Sequence, residues 1–255
     1  MPIRLLALDL DGTIIDSRMR VSPRVRRALC SAVDAGVHVI LASGRFFRTV
    51  RLFAQDLGIE EPLICYQGAL IQDPNSAQVY FKRGVPLHLA GEFVNFVQEH
   101  GWDLGICIDD CIYAQHDATR LRFYAEYSPV ENELQLVDDL RSILSSEPLK
   151  LVVVTEEEQA AMVRDMLQER FAGRLRIMRS FSQFVEGTSL EASKGRALAF
   201  LAGRLGATQA ETMAIGDNDN DVDMVAWAGL GVAMGNASAA VKAVADYVAP
   251  SLEED

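Results

Sequence analysis

The stretch LLALDLDGT, residues 5–13, decides how the rest of the chain is read. It starts as an apolar run and ends in Asp9, Leu10, Asp11 and Gly12. On an extended strand, residues two apart point to the same side. Asp9 and Asp11 therefore face one pocket if the strand runs that far. Gly12 lets the backbone leave the strand and pass close to a ligand. Two carboxylates at this spacing repel each other. Both stay charged at neutral pH only with a cation beside them; otherwise one keeps its proton. The stretch implies a bound metal, a protonated acid, or each in turn. Taken alone, it equally fits a strand followed by an ordinary Asp-Gly turn.

Working outward, Ser22 and Pro23 have the chemistry of a helix start: a hydroxyl to cap it and a ring suited to its first turn. Val25, Ala28, Leu29, Ala32 and Val33 follow at helical spacing, and Gly36 ends the run. Residues 37–42 (VHVILA) read as a second buried strand that leads into Ser43-Gly44-Arg45. Residues 46–57 read as a helix closed by Gly58, and residues 63–66 as a third strand. Alternating strands and helices with short links predict a parallel sheet with right-handed crossovers. Ligands of such sheets sit beyond the carboxyl ends of the strands. Asp9, Asp11 and Ser43 all fall there.

A hairpin is expected across residues 68–82, around Pro74-Asn75-Ser76. The rhythm then changes. Residues 86–100 read as a helix, 104–108 and 112–114 as strands joined at Asp109-Asp110, and 119–127 as a weak helix. A short helix near 138–145, a strand at 149–155, a helix at 156–171 and strands at 175–179 and 184–186 follow. This segment lacks carboxyl-end acids of the kind seen earlier. It reads as a second domain, residues 84–187, inserted into a core formed by 1–83 and 188–255. The earlier rhythm resumes with Ser193 capping a helix over 194–205. A strand at 212–215 runs into GDNDND, residues 216–221. A helix over 222–228, strands at 230–234 and 247–248 and a helix over 238–245 complete the chain. The expected class is α/β: a Rossmann-like parallel-sheet core with an inserted α+β domain.

Bulk properties narrow the partners. Hydrophobic residues make up 49% of the 255, enough for a sizeable core. A formal net charge of -12 disfavours nucleic acid and anionic membrane surfaces as partners. It does not disfavour a small anionic substrate, which feels the field of its own pocket. The four cysteines, Cys30, Cys65, Cys107 and Cys111, form no CxxC pair, and a reducing, cytoplasmic setting is the simpler expectation. The N-terminal apolar run is too short and too acidic for a signal peptide. Oligomeric state is not legible.

An acid cluster of oxygen ligands suits a hard divalent cation such as Mg²⁺. The Ser43 hydroxyl, the Gly44 N–H and the Lys194 ammonium suit a phosphoryl group. An aspartate beside a metal can attack phosphorus, and a second acid can protonate the leaving alcohol. Each feature also has an ordinary structural explanation: a turn serine, a surface lysine, a solvated acidic loop. Those explanations have to hold together at four places in the right order.

DLDGT at residues 9–13, the serine of LASGR, the lysine of SKG and GDNDND together resemble the four motifs of the haloacid dehalogenase-like superfamily. The insert falls between the second and third motifs. With the late run GLGVAMGNA, it resembles the Cof-type phosphatases with an α/β cap. The resemblance implies a Mg²⁺-dependent phosphohydrolase acting on a small phosphorylated metabolite through an aspartyl phosphate. It implies Asp9 as nucleophile and Asp11 as general acid, then base, with its backbone carbonyl on the metal. Ser43, Gly44 and Lys194 would hold the phosphoryl group, with Asn220 near it. Asp217 would ligate Mg²⁺, and Asp221 would fix the metal's waters. Where many relatives carry Asn-Gly after the third strand, this chain has Gln67-Gly68. Residues 107–113, Arg45, Arg48 and Glu186 are candidates for substrate selection. Transfer of the same phosphoryl group to an alcohol, as in a phosphotransferase or mutase, is the alternative. A phospho-receiver domain is a remote one, since receivers need no insert of this length.

Overall fold

The computed structural model describes residues 2–76, 78–116, 118–121 and 134–254. The chain divides into two compact units, Met1–Phe81 with Ser193–Asp255, and Lys82–Ala192.

The first unit begins with β1 (Leu5–Leu8), α1 (Pro23–Asp34), β2 (His38–Leu41), α2 (Phe47–Leu57), β3 (Leu63–Cys65), β4 (Leu70–Gln72) and β5 (Val79–Lys82). The second contains α3 (Leu87–Glu99), β6 (Asp103–Ile108), β7 (Cys111–Gln115), β8 (Leu134–Val137), β9 (Lys150–Val154), α4 (Glu157–Arg170), β10 (Leu175–Phe181) and β11 (Phe184–Ser189). The first unit then resumes with α5 (Lys194–Arg204), β12 (Thr212–Gly216), α6 (Val222–Trp227), β13 (Leu230–Ala233), α7 (Ala239–Val244) and β14 (Tyr247–Val248).

The core sheet is parallel throughout, in the order β14-β13-β12-β1-β2. β1 sits between β12 and β2, which is why LLAL is apolar on both faces. Leu5 and Ala7 share a face with Ile40, Ala214 and the α5 residues Leu198 and Leu201, all buried. Ala7 lies opposite Ala214, and these small side chains leave room for the helix above them. The helix ends follow the local chemistry. Ser22 Oγ accepts from the Val25 N–H with Pro23 in the first turn, and Ser193 Oγ accepts from the Arg196 N–H. Gly58 closes α2 in the left-handed conformation.

The structure corrects the reading in three places. β1 stops at Leu8, because the Leu10 carbonyl accepts from the N–H groups of Thr13, Ile14 and Ile15 and curls the chain into a tight turn. Asp11 therefore lies past the strand, and the simple two-apart rule does not govern it. The third strand is not a full member of the core sheet. β3 meets β2 through one parallel bridge, Ala42 to Ile64, and pairs antiparallel with β4 in a separate sheet β3-β4-β5. Its three residues are too few to sustain a second parallel ladder. Residues 139–145 form successive turns rather than a helix. The expected helix at 119–127 lies mostly outside the described residues.

The second unit is built on the sheet β10-β11-β9-β6-β7-β8, antiparallel except where β7 meets β8. β8 escaped the sequence reading; its exposed, half-polar LQLV carries little periodic signal. Leu104, Ile106, Leu151, Val153 and Val185 face α3 and α4, and Phe93 and Phe171 meet between the helices. Asp109 and Asp110 both have positive φ, 46° and 59°, as a two-residue hairpin turn requires.

Candidate active site

The carboxyl ends of β1 and β12 lie side by side, since Leu8 is in register with Ile215. That pairing brings residues from both ends of the chain together. The Asp9 N–H continues the ladder by one bond, to the Ile215 carbonyl at 3.0 Å. This fixes the Asp9 backbone, and the residue is 4% exposed.

Lys194, the first residue of α5, is fully withdrawn from solvent. Its Nζ donates to Asp9 Oδ1 at 2.5 Å and to Asp221 Oδ1 at 2.6 Å. The other Asp221 oxygen accepts from the N–H groups of Asp217 and Asn218, each at 3.1 Å. GDNDND is thus folded around one of its own carboxylates rather than being a solvated acidic loop. Asp217 Oδ1 accepts from the Thr13 hydroxyl at 3.3 Å. Asn236 Nδ2 donates to the Gly12 carbonyl at 2.9 Å and reaches Asp217 Oδ2 at 3.5 Å. Gly12 has φ of +80°, and a Cβ on it would run into the Asp217 carboxylate. Only glycine leaves that space open.

Asp9, Asp217 and Asp221 offer ligand oxygens that lie within 4.8 Å of one another. No other group of this kind occurs among the described residues. Burial, then Asp221, raise the Asp9 carboxyl well above the usual range, against the pull of Lys194. Asp217 is pushed up to about 7, chiefly by burial and then by Asp221. Burial works against the Lys194 charge, yet Asp221 and Asp9 outweigh it and hold the ammonium above the ordinary lysine range. Three carboxylates around one ammonium carry an excess of two negative charges when all are ionised. An oxygen-only donor set with that excess fits a hard divalent cation.

The remaining sequence candidates gather around Gln67. Ser43 is buried at the end of β2, its N–H donating to the Ile64 carbonyl at 2.9 Å. The Gln67 N–H donates to the Ser43 carbonyl at 3.2 Å. The Gln67 side chain covers Gly44, where a Cβ would collide with it. Gln67 Oε1 accepts from Asn220 Nδ2 at 2.8 Å, while Asn220 Oδ1 is buried with no hydrogen-bond partner among the described residues. Tyr66 and Gln67 adopt positive φ, 51° and 59°, and Gly68 follows at 90°. Such backbone is strained for residues other than glycine and persists where the surrounding structure holds it. The sequence showed Gln67 only as a departure from a familiar pattern. It gives no sign that this residue joins Ser43 through its backbone and Gly44 and Asn220 through its side chain.

Asp11 stands apart from the acid cluster. Arg45 Nε and Nη2 grip its two oxygens at 2.8 and 2.7 Å. The sequence offers Arg45 as a candidate for substrate selection and carries no sign of its contact with Asp11. Nor were Thr13 and Asn236 singled out, although both lie in quoted motifs. Glu186 is not solvent-facing: Lys150 Nζ donates to its Oε1 at 2.8 Å within the second unit.

A family model described as haloacid dehalogenase-like hydrolase matches residues 6–255. The chain is 32% identical over 254 residues to the 5-amino-6-(5-phospho-D-ribitylamino)uracil phosphatase YcsE of Bacillus subtilis (strain 168), covering 99% of this chain and 92% of that protein. It is 28% identical over 254 residues to the pyridoxal phosphate phosphatase YbhA of Escherichia coli (strain K12), covering 97% and 93%. Among solved structures, a haloacid dehalogenase-like hydrolase from Bacteroides thetaiotaomicron superposes with a TM-score of 0.85 at 26% identity, covering 99% of this chain and 96% of that one. The chain belongs to the haloacid dehalogenase-like hydrolase family, and it is a phosphatase.

Proposed function

We propose that this phosphatase hydrolyses the monoester of a small phosphorylated metabolite, such as a sugar phosphate, with Mg²⁺ and through an aspartyl phosphate on Asp9. The observation that carries the reading is the Lys194 ammonium set between Asp9 and Asp221 inside a buried acid cluster. The relatives' named substrates, a ribityl phosphate and pyridoxal phosphate, are both small phosphorylated molecules.

Asp9 is the nucleophile. Its backbone is locked by β12, and Lys194 fixes Oδ1. Such fixing holds the attacking oxygen near phosphorus at little further entropic cost. Asp11 first gives a proton to the leaving oxygen and later takes one from the attacking water. The Ser43 hydroxyl, the Gly44 N–H and Lys194 bind the phosphoryl oxygens, and Asn220 lies close by. Asp9, the Asp11 backbone carbonyl and Asp217 would hold Mg²⁺, with Asp221 setting its waters; when bound, the ion supplies positive charge to the phosphoryl oxygens. Residues 84–187 act as a cap that selects the substrate.

The test is a panel of sugar, nucleotide-like and cofactor phosphates, with purified wild-type protein and Asp9→Asn. Mg²⁺-dependent phosphate release by the wild type and its loss in Asp9→Asn are expected. Near-normal turnover in Asp9→Asn would remove Asp9 from its role.

A further inference from the structure

Among the described residues, Arg45 is the one that orients the Asp11 side chain. Arg45 Nε donates to Asp11 Oδ2 at 2.8 Å and Nη2 to Oδ1 at 2.7 Å. This two-pronged fork fixes the plane of a carboxylate as well as its position. Arg45 is anchored in turn. Its N–H donates to Ser43 Oγ at 3.1 Å, and its carbonyl accepts from the Tyr66 N–H at 3.2 Å. The side chains are 15% and 27% exposed, so this is not a freely solvated surface pair of small worth. The segment Ser43-Gly44-Arg45 thus carries both a phosphate hydroxyl and the grip on Asp11.

The fork turns both Asp11 oxygens toward one guanidinium and so fixes the direction in which the carboxyl can exchange a proton. The two halves of the proposed reaction use different forms. In the first, an Asp9 oxygen bonds to phosphorus, the ester P–O bond breaks, and the Asp11 proton goes to the leaving oxygen. In the second, a water oxygen bonds to phosphorus and the bond from phosphorus to Asp9 breaks. The water's proton then goes to the Asp11 carboxylate.

We infer that Arg45 is a positioning residue for Asp11, holding its carboxyl where it serves the leaving oxygen and then the attacking water. The inference rests on the aspartyl-phosphate reading above. With an ester whose leaving group needs no proton, loss of Arg45 then slows release of phosphate from the enzyme more than its loading.

The experiment uses full-length wild type, Arg45→Met, Arg45→Lys and Asp11→Asn with Mg²⁺ and p-nitrophenyl phosphate, whose leaving group departs without needing a proton. Rapid mixing follows p-nitrophenolate, and intact mass after an acid quench follows phosphoryl-enzyme. Thermal melts confirm folding of each variant. For Arg45→Met the expected result is a burst near one equivalent, then a steady rate slowed about tenfold or more, with phosphoryl-enzyme accumulating. KM stays within a few-fold, and Arg45→Lys recovers part of the rate. Asp11→Asn shows the same behaviour more strongly. A several-fold rise in KM with kcat unchanged makes Arg45 a phosphate ligand and overturns the inference. A fall in kcat without burst or adduct, while Asp11→Asn gives both, also overturns it and leaves the reading of Asp11 standing. Absence of both signals in Asp11→Asn as well removes Asp11 as the base and the inference with it. Persistence of activity in Asp9→Asn separately marks failure of the aspartyl-phosphate route.

Discussion

Lys194 Nζ lies 2.5 Å from Asp9 Oδ1, although the two residues are 185 positions apart in the chain. Both side chains are buried, and Asp221 shares the same ammonium at 2.6 Å. Lys194→Met leaves two buried carboxylates facing each other without their cation. Removing one partner from such a group costs about 3–5 kcal/mol; proton uptake by Asp9 places the expected loss at the lower end. Turnover is expected to fall on the order of 10²–10³-fold, as when a preorganised donor is lost from an active site. Guanidinium denaturation and steady-state kinetics check both. A variant that keeps a tenth of wild-type turnover would count against this role.

Gly12 and Gly36 provide a matched pair of tests. Their φ angles are +80° and +79°, so alanine is strained to a similar degree at either position. A Cβ at Gly36 meets nothing within 4 Å, whereas one at Gly12 meets the Asp217 carboxylate, with Cγ at 2.9 Å. Gly36→Ala is expected to cost about 1 kcal/mol and keep full activity. Gly12→Ala is expected to cost more and to weaken Mg²⁺ binding in calorimetry by at least about tenfold, because Asp217 must move. Equal behaviour of the two variants would detach Asp217 from the metal.

Most of the core was legible because its signals are local. Ser22-Pro23, Ser193 and Gly58 each mark a helix end through a bond to their own neighbourhood. The parallel sheet followed from apolar runs alternating with helical periods. The misreadings arose where tertiary context overrides local pattern. A three-residue strand such as β3 carries no sign of which sheet it joins. The turn that ends β1 hangs on the Leu10 carbonyl, an atom every residue has. The acids of the site could be named because carboxylates at strand ends are rare and demand compensation. Lys194 could be named with them from its place at a helix start, whereas the contacts that Arg45, Gln67 and Asn236 make exist only once the chain is folded.

The Lys150–Glu186 pair in the second unit is 2–3% exposed at both side chains, with Nζ to Oε1 at 2.8 Å. Lys150→Met removes the buried cation that the Glu186 carboxylate faces and is expected to cost about 3–5 kcal/mol. The double variant Lys150→Met with Glu186→Leu is expected to recover most of that loss, since a well-packed apolar pair replaces a buried ionic one at little net cost. If residues 84–187 select the substrate, the double variant also changes relative rates across the phosphate panel. Chemical denaturation and panel kinetics read the two effects separately. A double variant as unstable as the single one would show that Glu186 needs no cation.

Asp217, pushed up to about 7 chiefly by its burial, and Asp9, raised well above the usual range by the same cause, describe the site without its cation. Unfolded aspartates titrate near 4. Between that value and about 7 the Asp217 carboxyl binds more of a proton in the folded state than in the unfolded chain, so its contribution to stability falls as pH rises through this window. Above about 7 Asp217 is ionised in the metal-free site and lies against its acidic neighbours. A divalent cation removes the repulsion between them, but below 7 it must first expel protons. The stabilisation by Mg²⁺ is therefore expected to grow with pH. The gap in Tm between Mg²⁺ and EDTA is expected to be several degrees larger at about pH 8 than at about pH 6. Calorimetric titration of Mg²⁺ near neutral pH, in buffers of different ionisation enthalpy, is expected to show proton release. Asp217→Asn removes a raised carboxyl and is expected to shrink both signals together. A Tm gap that stays flat across this range would mean that the cation does not compete with protons at Asp217 and Asp9.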